Sequence, residues 1–109
     1  MNTRINKINN LIKKDVSDIF LKKLSLKEGV FVTLTKVDTS RDLRYTRIFI
    51  SVFPETEINY VVKTLKKETF KIQGFLNKKL IMKPLPKISF QVDMTEARAD
   101  EIEKLLKKI

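Results

Sequence analysis

VFVTLTKVDTSRDLRYTRIFISVF, residues 30–53, decides the architecture. Val30, Val32 and Leu34 alternate with Phe31, Thr33 and Thr35, the period-two pattern of a strand with one buried and one wetter face. After Val37 the run Asp38-Thr39-Ser40-Arg41-Asp42-Leu43 is turn chemistry, because its short polar side chains can bond the nearby backbone. A second strand is predicted over Tyr45–Phe53, with Ile48, Ile50 and Val52 facing inward. So short a connection favours an antiparallel hairpin. Pro54 has no N–H to give to a ladder, so the second strand stops there.

Upstream of the hairpin, Ile5, Ile8, Ile12, Ile19 and Phe20, with Leu11 and Val16, recur at three- and four-residue spacing, and lysines and asparagines fill the other face. This predicts an amphipathic helix over residues 3–24, followed by a turn at Gly29. Downstream, Thr56 stands as N-cap of a helix carrying Ile58, Val61, Val62 and Leu65. Gly74 is expected to interrupt that helix with a kink, and Phe75–Leu80 to add a short second helix. Phe70 and Phe75, straddling Gly74, are expected to anchor the kinked pair to the core. Lys83-Pro84-Leu85-Pro86 must be extended, since each proline fixes its own φ and biases the residue before it. A third strand follows over Lys87–Asp93 with Ile88, Phe90 and Val92 inward. Asp93 or Thr95 then caps a last helix to Ile109, whose core stripe is Ala99, Ile102, Leu105, Leu106 and Ile109.

The expected order is therefore α-β-β-α-kink-α-β-α, an α+β class. It forms one domain over residues 1–109, with a three-stranded mixed sheet and helices on one face. The crossover rule places the third strand beside and parallel to the first.

Charge is distributed unevenly. Residues 1–24 carry +4 and residues 63–87 carry +7, the latter from eight lysines against the single acid Glu68. Residues 25–62 are neutral and residues 88–109 carry −1, so two segments hold the whole net charge of +10. Such a surplus suits nucleic acid, an anionic membrane or an acidic protein. A membrane-surface role for the first helix fits poorly, because Ile5, Ile12, Ile19 and Phe20 are needed to cover the sheet and the chain has no Trp to anchor an interface. Arg4, Lys7, Lys13 and Lys14 break every early apolar run, and no stretch reaches the roughly 18 apolar residues of a membrane span. With no cysteine, the expectation is a soluble cytoplasmic protein without disulfides.

Catalysis finds few candidates. Neither histidine nor cysteine is present, and two glycines forty-five residues apart, Gly29 and Gly74, make no phosphate-binding fingerprint. Asp38, Asp42 and Asp93 can be imagined around Mg²⁺ in a nuclease. Against that, Asp38 and Asp42 suit a turn, and Asp93 suits a strand end and helix cap. The expectation is no enzyme, no cofactor and no metal.

An α-β-β-α-α-β order is that of the type II KH fold. The chain resembles bacterial ribosome-binding factor A over nearly its whole length. The resemblance rests on Val37-Asp38-Thr39-Ser40-Arg41-Asp42-Leu43, Ile48-Phe49-Ile50-Ser51, Pro86-Lys87-Ile88-Ser89-Phe90-Gln91-Val92-Asp93 and Ile102-Glu103-Lys104-Leu105-Leu106, in that order and spacing. Family members usually carry an Ala-x-Gly kink between the central helices. Here Ile72-Gln73-Gly74 looks like its counterpart, with isoleucine where alanine is usual. The resemblance implies a factor that binds the immature 30S subunit and precursor 16S rRNA, assists maturation of the 5′ region of 16S rRNA and serves in cold adaptation. Assembly GTPases are a further partner to consider, and the expected state is a monomer.

In such a fold the basic kink is the expected RNA surface. Lys66, Lys67, Lys71, Lys78, Lys79 and Lys83 flank it, Gln73 and Asn77 offer hydrogen bonds, and Gly74 lets backbone approach the phosphates, helped by the partial charge of the next helix N-terminus. Arg41 and Arg44 at the hairpin, with Arg47 nearby, present forks suited to phosphate, or pair with Asp42 or Glu55. Arg4, Lys13 and Lys14 give the first helix its own patch, which either binds or merely solvates. Phe31, Phe49 and Phe53 are stacking platforms or partly covered residues. Two other functions stay open: a KH-like RNA chaperone or translational regulator, and a basic adaptor for an acidic protein.

Overall fold

The structure is a computed structural model and describes residues 3–80 and 85–94. Lys83, Pro84 and the expected C-terminal helix, with its cap at Thr95, lie outside the described residues. Helix α1 spans Thr3–Lys23, strand β1 Phe31–Thr39, strand β2 Tyr45–Phe53, a 3-10 turn Glu55–Glu57, helix α2 Ile58–Lys79 and strand β3 Lys87–Val92. The hairpin forms as read, but β1 runs two residues beyond Val37. A bulge between Leu34 and Lys36 explains why. It resets the alternation, so that Val37 and Thr39 follow Val30 and Leu34 into the core, and Val37 pairs with Ile48. The buried hydroxyls of Thr39 and Thr46, 2.9 Å apart, close the far end of the ladder. The turn beyond is held by Ser40, whose N–H donates to the Tyr45 carbonyl at 2.8 Å and whose carbonyl accepts from the Leu43 N–H at 2.9 Å. These bonds hold Leu43 at φ 60°, a left-handed conformation that non-glycine residues seldom adopt. At the other end Gly29, at φ 84°, makes the turn into β1 that a side chain would strain.

The sheet order is β1-β2-β3, with β1 antiparallel and β3 parallel to β2. The third strand therefore lies beside the second strand and not, as expected, beside the first. β1 occupies one edge of β2 and β3 the other. Ile12, Val16, Ile19 and Phe20 of α1 and Val61, Leu65, Ile72 and Leu76 of α2 pack with Leu34, Ile48, Ile50, Val52 and Ile88 into one core. Both helices thus cover the same sheet face. The opposite face leaves Phe31, Tyr45 and Phe53 exposed.

Two features of α2 differ from the sequence expectation. Thr56 is not its N-cap. The 3-10 turn that begins at Pro54 places the Glu55 carbonyl where it accepts the Ile58 N–H, so no side-chain cap is used. Nor does Gly74 interrupt the helix, which runs unbroken from Ile58 to Lys79. A glycine inside a helix costs only about 1 kcal/mol relative to alanine. Burial of Ile72 and Leu76 on either side of Gly74 outweighs that.

Candidate nucleic-acid interface

The buried stripe of α2 is Val61, Leu65, Ile72 and Leu76. At 100° per residue the opposite side of the helix carries Lys63, Lys66, Lys67, Phe70, Gly74, Asn77 and Lys78, with Lys71 at its margin, and all of these are exposed, whereas Lys79 falls in line with Val61 on the side that meets α1. The one acid of this stretch, Glu68, is half-buried toward α1, where it lines a cleft with Lys23, Leu24, Lys71, Ile72 and Phe75. The outward face from Lys63 to Lys78 therefore shows ammonium groups and no carboxylate. Lys63, Lys66, Lys67 and Lys78 have no ion-pair partner among the described residues.

Other members of the expected set are held by the fold. Lys79 donates to Asp18 at 3.1 Å, and Lys22 reaches the same carboxylate at 3.4 Å. The hydrogen bond from Lys79, with the charge of Lys22 behind it, holds the Asp18 carboxyl below its ordinary pKa. Its stabilising effect is complete above the ordinary carboxylate range and fades as pH falls through the lowered value. Lys71 sits 4.0 Å from Glu68. Because the helix is continuous, no helix N-terminus among the described residues points at this surface, and the partial positive charge expected from a second helix after Gly74 does not arise.

Gln73 has a structural task. Its Nε2 donates to the Pro86 carbonyl at 3.0 Å and to Asn77 Oδ1 at 2.9 Å, while its Oε1 accepts the Ile88 N–H at 2.8 Å. The Lys87 N–H bonds the carbonyl of Arg44, just before β2, at 2.8 Å, so the neighbouring N–H of Ile88 points away from β2, where Gln73 satisfies it. Gln73→Ala strands a carbonyl and an N–H beside the core. It is expected to cost about 2 kcal/mol, measured as a fall in the urea midpoint at unchanged m-value. The same bonds run from Asn77 through Gln73 to Lys87 and Arg44, so the exposed Lys87 and the hairpin arginines border the α2 surface.

Arg44 lies 4.0 Å from Asp42, and Arg41 is exposed with no ion-pair partner among the described residues. Arg47 pairs with Asp38 at 2.6 Å, neither of the two partners expected for it. The imagined metal carboxylates are each engaged. Asp42 accepts from the Ser40 hydroxyl at 2.6 Å and the Arg44 N–H at 3.1 Å, contacts that lower its pKa, the hydroxyl most. Asp93 accepts from Thr35 at 2.8 Å, across the central strand. Among the described residues no three acidic side chains gather to hold a metal.

Helix α1 meets α2 through Asp18–Lys79 and Lys23–Phe75, so the two run antiparallel where they touch. Lys13 and Lys14 are exposed one turn before Asp18, along α1 and away from the lysines of α2. Arg4, near the start of α1, is farther still along that helix and has partners of its own. On the open sheet side, Phe31 and Phe53 are 64% and 68% exposed and pair across the strands, while Lys36 and Arg47 lie 5.7 Å and 5.8 Å from the ring centre of Phe49.

Phe75 is half-buried, but Phe70 is no core anchor: it is 89% exposed. Lys63 and Lys87 also belong to the surface without having been singled out. For Phe70 the signal was available, since it falls opposite Leu65, Ile72 and Leu76 on an uninterrupted helical wheel. Gly74 needs neither a positive φ nor a close approach, and a Cβ built there meets nothing within 4 Å. Gly74→Ala is expected to raise stability by about 0.5–1 kcal/mol, read as a higher melting temperature.

Two helices on one face of a three-stranded mixed sheet, in this order, make a KH-like α+β protein. Residues 4–106 match the sequence model of ribosome-binding factor A. The ribosome-binding factor A of Natranaerobius thermophilus is 35% identical over 107 residues, covering 97% of this chain and 82% of its own. The chain belongs to the ribosome-binding factor A family. Its fold is similar to the crystal structure of the Thermus thermophilus factor, with TM-score 0.71 at 15% identity over 81% of this chain and 94% of that one. It is also similar to the Thermus thermophilus factor as fitted into a cryo-EM map of its complex with the 30S subunit, with TM-score 0.67 at 16% identity over 78% and 90% of the two chains. Among the described residues, no helix is long and apolar enough to cross a membrane.

Proposed function

We propose that this protein is a non-catalytic assembly factor that docks on the immature 30S subunit and assists maturation of the 5′ region of 16S rRNA, in the cytoplasm and as a single-domain monomer. The observation that carries the reading is the outward face of α2, where exposed lysines follow one another with no exposed acid. A solvating surface normally mixes signs and pairs them at i,i+4. Lys66, Lys67 and Lys78 take phosphates, with Lys71 beside them at the edge, and Gly74 and Asn77 let the strand lie close to the helix. Lys79, Lys83, Arg41, Arg44, Arg4, Lys13 and Lys14 extend the field around that centre, and Gln73 holds the surface together. The relative fitted into a 30S complex supports the same partner. An assembly GTPase and a role in cold adaptation complete the reading.

The factor acts by preferring one rRNA arrangement, since a bound protein shifts an RNA equilibrium only by its differential affinity for the two forms. The test is sedimentation of cell lysate, with the factor expected beside 30S particles and absent from 70S ribosomes. With about six phosphate contacts, affinity for purified small subunits falls with salt at a log–log slope of roughly −4 to −5. A flat salt response, or cosedimentation with 70S ribosomes alone, overturns the proposal.

A further inference from the structure

Phe70 stands in the middle of the cationic face, 89% exposed, with no burial to account for a phenyl ring there. Helical rise places Lys66 and Lys67 about 5–6 Å to one side of it and Lys78 about 12 Å to the other. Gly74 lies one turn on, on the same side, with open space above its backbone. An apolar ring beside a bare stretch of backbone, bordered by unpaired ammonium groups, matches a ligand with a flat apolar face and negative charge on both sides. A nucleotide whose base has left its helical stack has that form.

We infer that Phe70 is a stacking platform for one unpaired base of the bound RNA, with the flanking phosphates held by Lys66, Lys67 and Lys78. The inference rests on the reading of this face as the RNA surface and adds what that surface selects: a single-stranded or bulged nucleotide in preference to uninterrupted duplex. An aromatic face tolerates any base, so the selection is for an unstacked conformation and not for sequence.

The test uses the full chain and two 12-nucleotide probes: an unstructured ribonucleotide of mixed sequence, and an abasic sugar–phosphate strand of the same length. Phe70→Ala is expected to weaken binding of the first by about 10- to 100-fold. Its salt slope should be unchanged, and the abasic strand should bind wild type and variant alike. Because the chain has no tryptophan, Phe70→Trp supplies a lone reporter. It is expected to keep the affinity and to lose fluorescence as the first probe binds, but not the second. Equal affinity of wild type and Phe70→Ala overturns the inference and leaves the electrostatic reading intact. An equal loss on both probes also overturns it, since the ring would then act on the sugar–phosphate strand or on the helix surface and not on a base. Failure of wild type to bind either strand at any salt removes the RNA reading and this inference with it.

Discussion

Replacing Lys66, Lys67 and Lys78 together by glutamine is expected to lower affinity for immature small subunits by about 100-fold, with the fold unchanged. Glutamine has nearly the helix propensity of lysine, and all three side chains project into solvent, so stability should not move. Each lost phosphate contact is worth about 1 kcal/mol, and three make roughly two decades. The clearer signature is in the salt dependence, whose log–log slope should shrink by about 2–3 as three counterions cease to be released. Titration at four or five salt concentrations reads both quantities. Lys79→Gln is the contrast. Its ammonium is already bound to Asp18, so it should alter affinity much less than Lys67→Gln does. A triple variant that keeps the wild-type slope would show that the outward face of α2 touches no phosphate.

The second large effect concerns Ile72, which occupies the position where the family resemblance leads one to look for alanine. The structure gives a reason for the isoleucine: only 3% of its surface is exposed, and it packs between the sheet and α1. Ile72→Ala is expected to cost about 3 kcal/mol, the transfer free energy of three carbons plus a cavity that Leu76, one turn on, cannot fill. In a chain of this size that lowers the melting temperature by about 10–20 °C. Calorimetry of wild type and variant decides it. A loss below about 1 kcal/mol would mean that the helix shifts to close the gap.

The hairpin was legible because alternation, polar turn residues and Pro54 all point to the same boundaries. The bulge at Thr35 was not, since one extra residue shifts the phase of the strand without changing its composition. The place of β3 was misjudged because the right-handed crossover rule does not say which edge receives the strand. The kink failed for a reason of scale. One glycine weighs about 1 kcal/mol against two buried aliphatic side chains, and the arithmetic favours continuity. That same error hid Phe70, since breaking the helix at Gly74 discarded the periodicity that would have turned its ring outward. The charge pattern, in contrast, located the lysine-rich stretch that the fold turns outward on α2, although it could not show that Lys79 and Gln73 were already engaged within the fold.

An unbroken α2 also works as a straightedge. From Lys63 to Lys78 the helix advances about 22 Å, and its free cations stay nearly collinear over that length. A rod of this kind gauges the geometry of what lies along it. On the proposed function, an rRNA segment drawn out straight would meet every cation at once, while one that bends away midway would lose the far contacts. Structural proofreading of this sort requires no moving part, only rigidity.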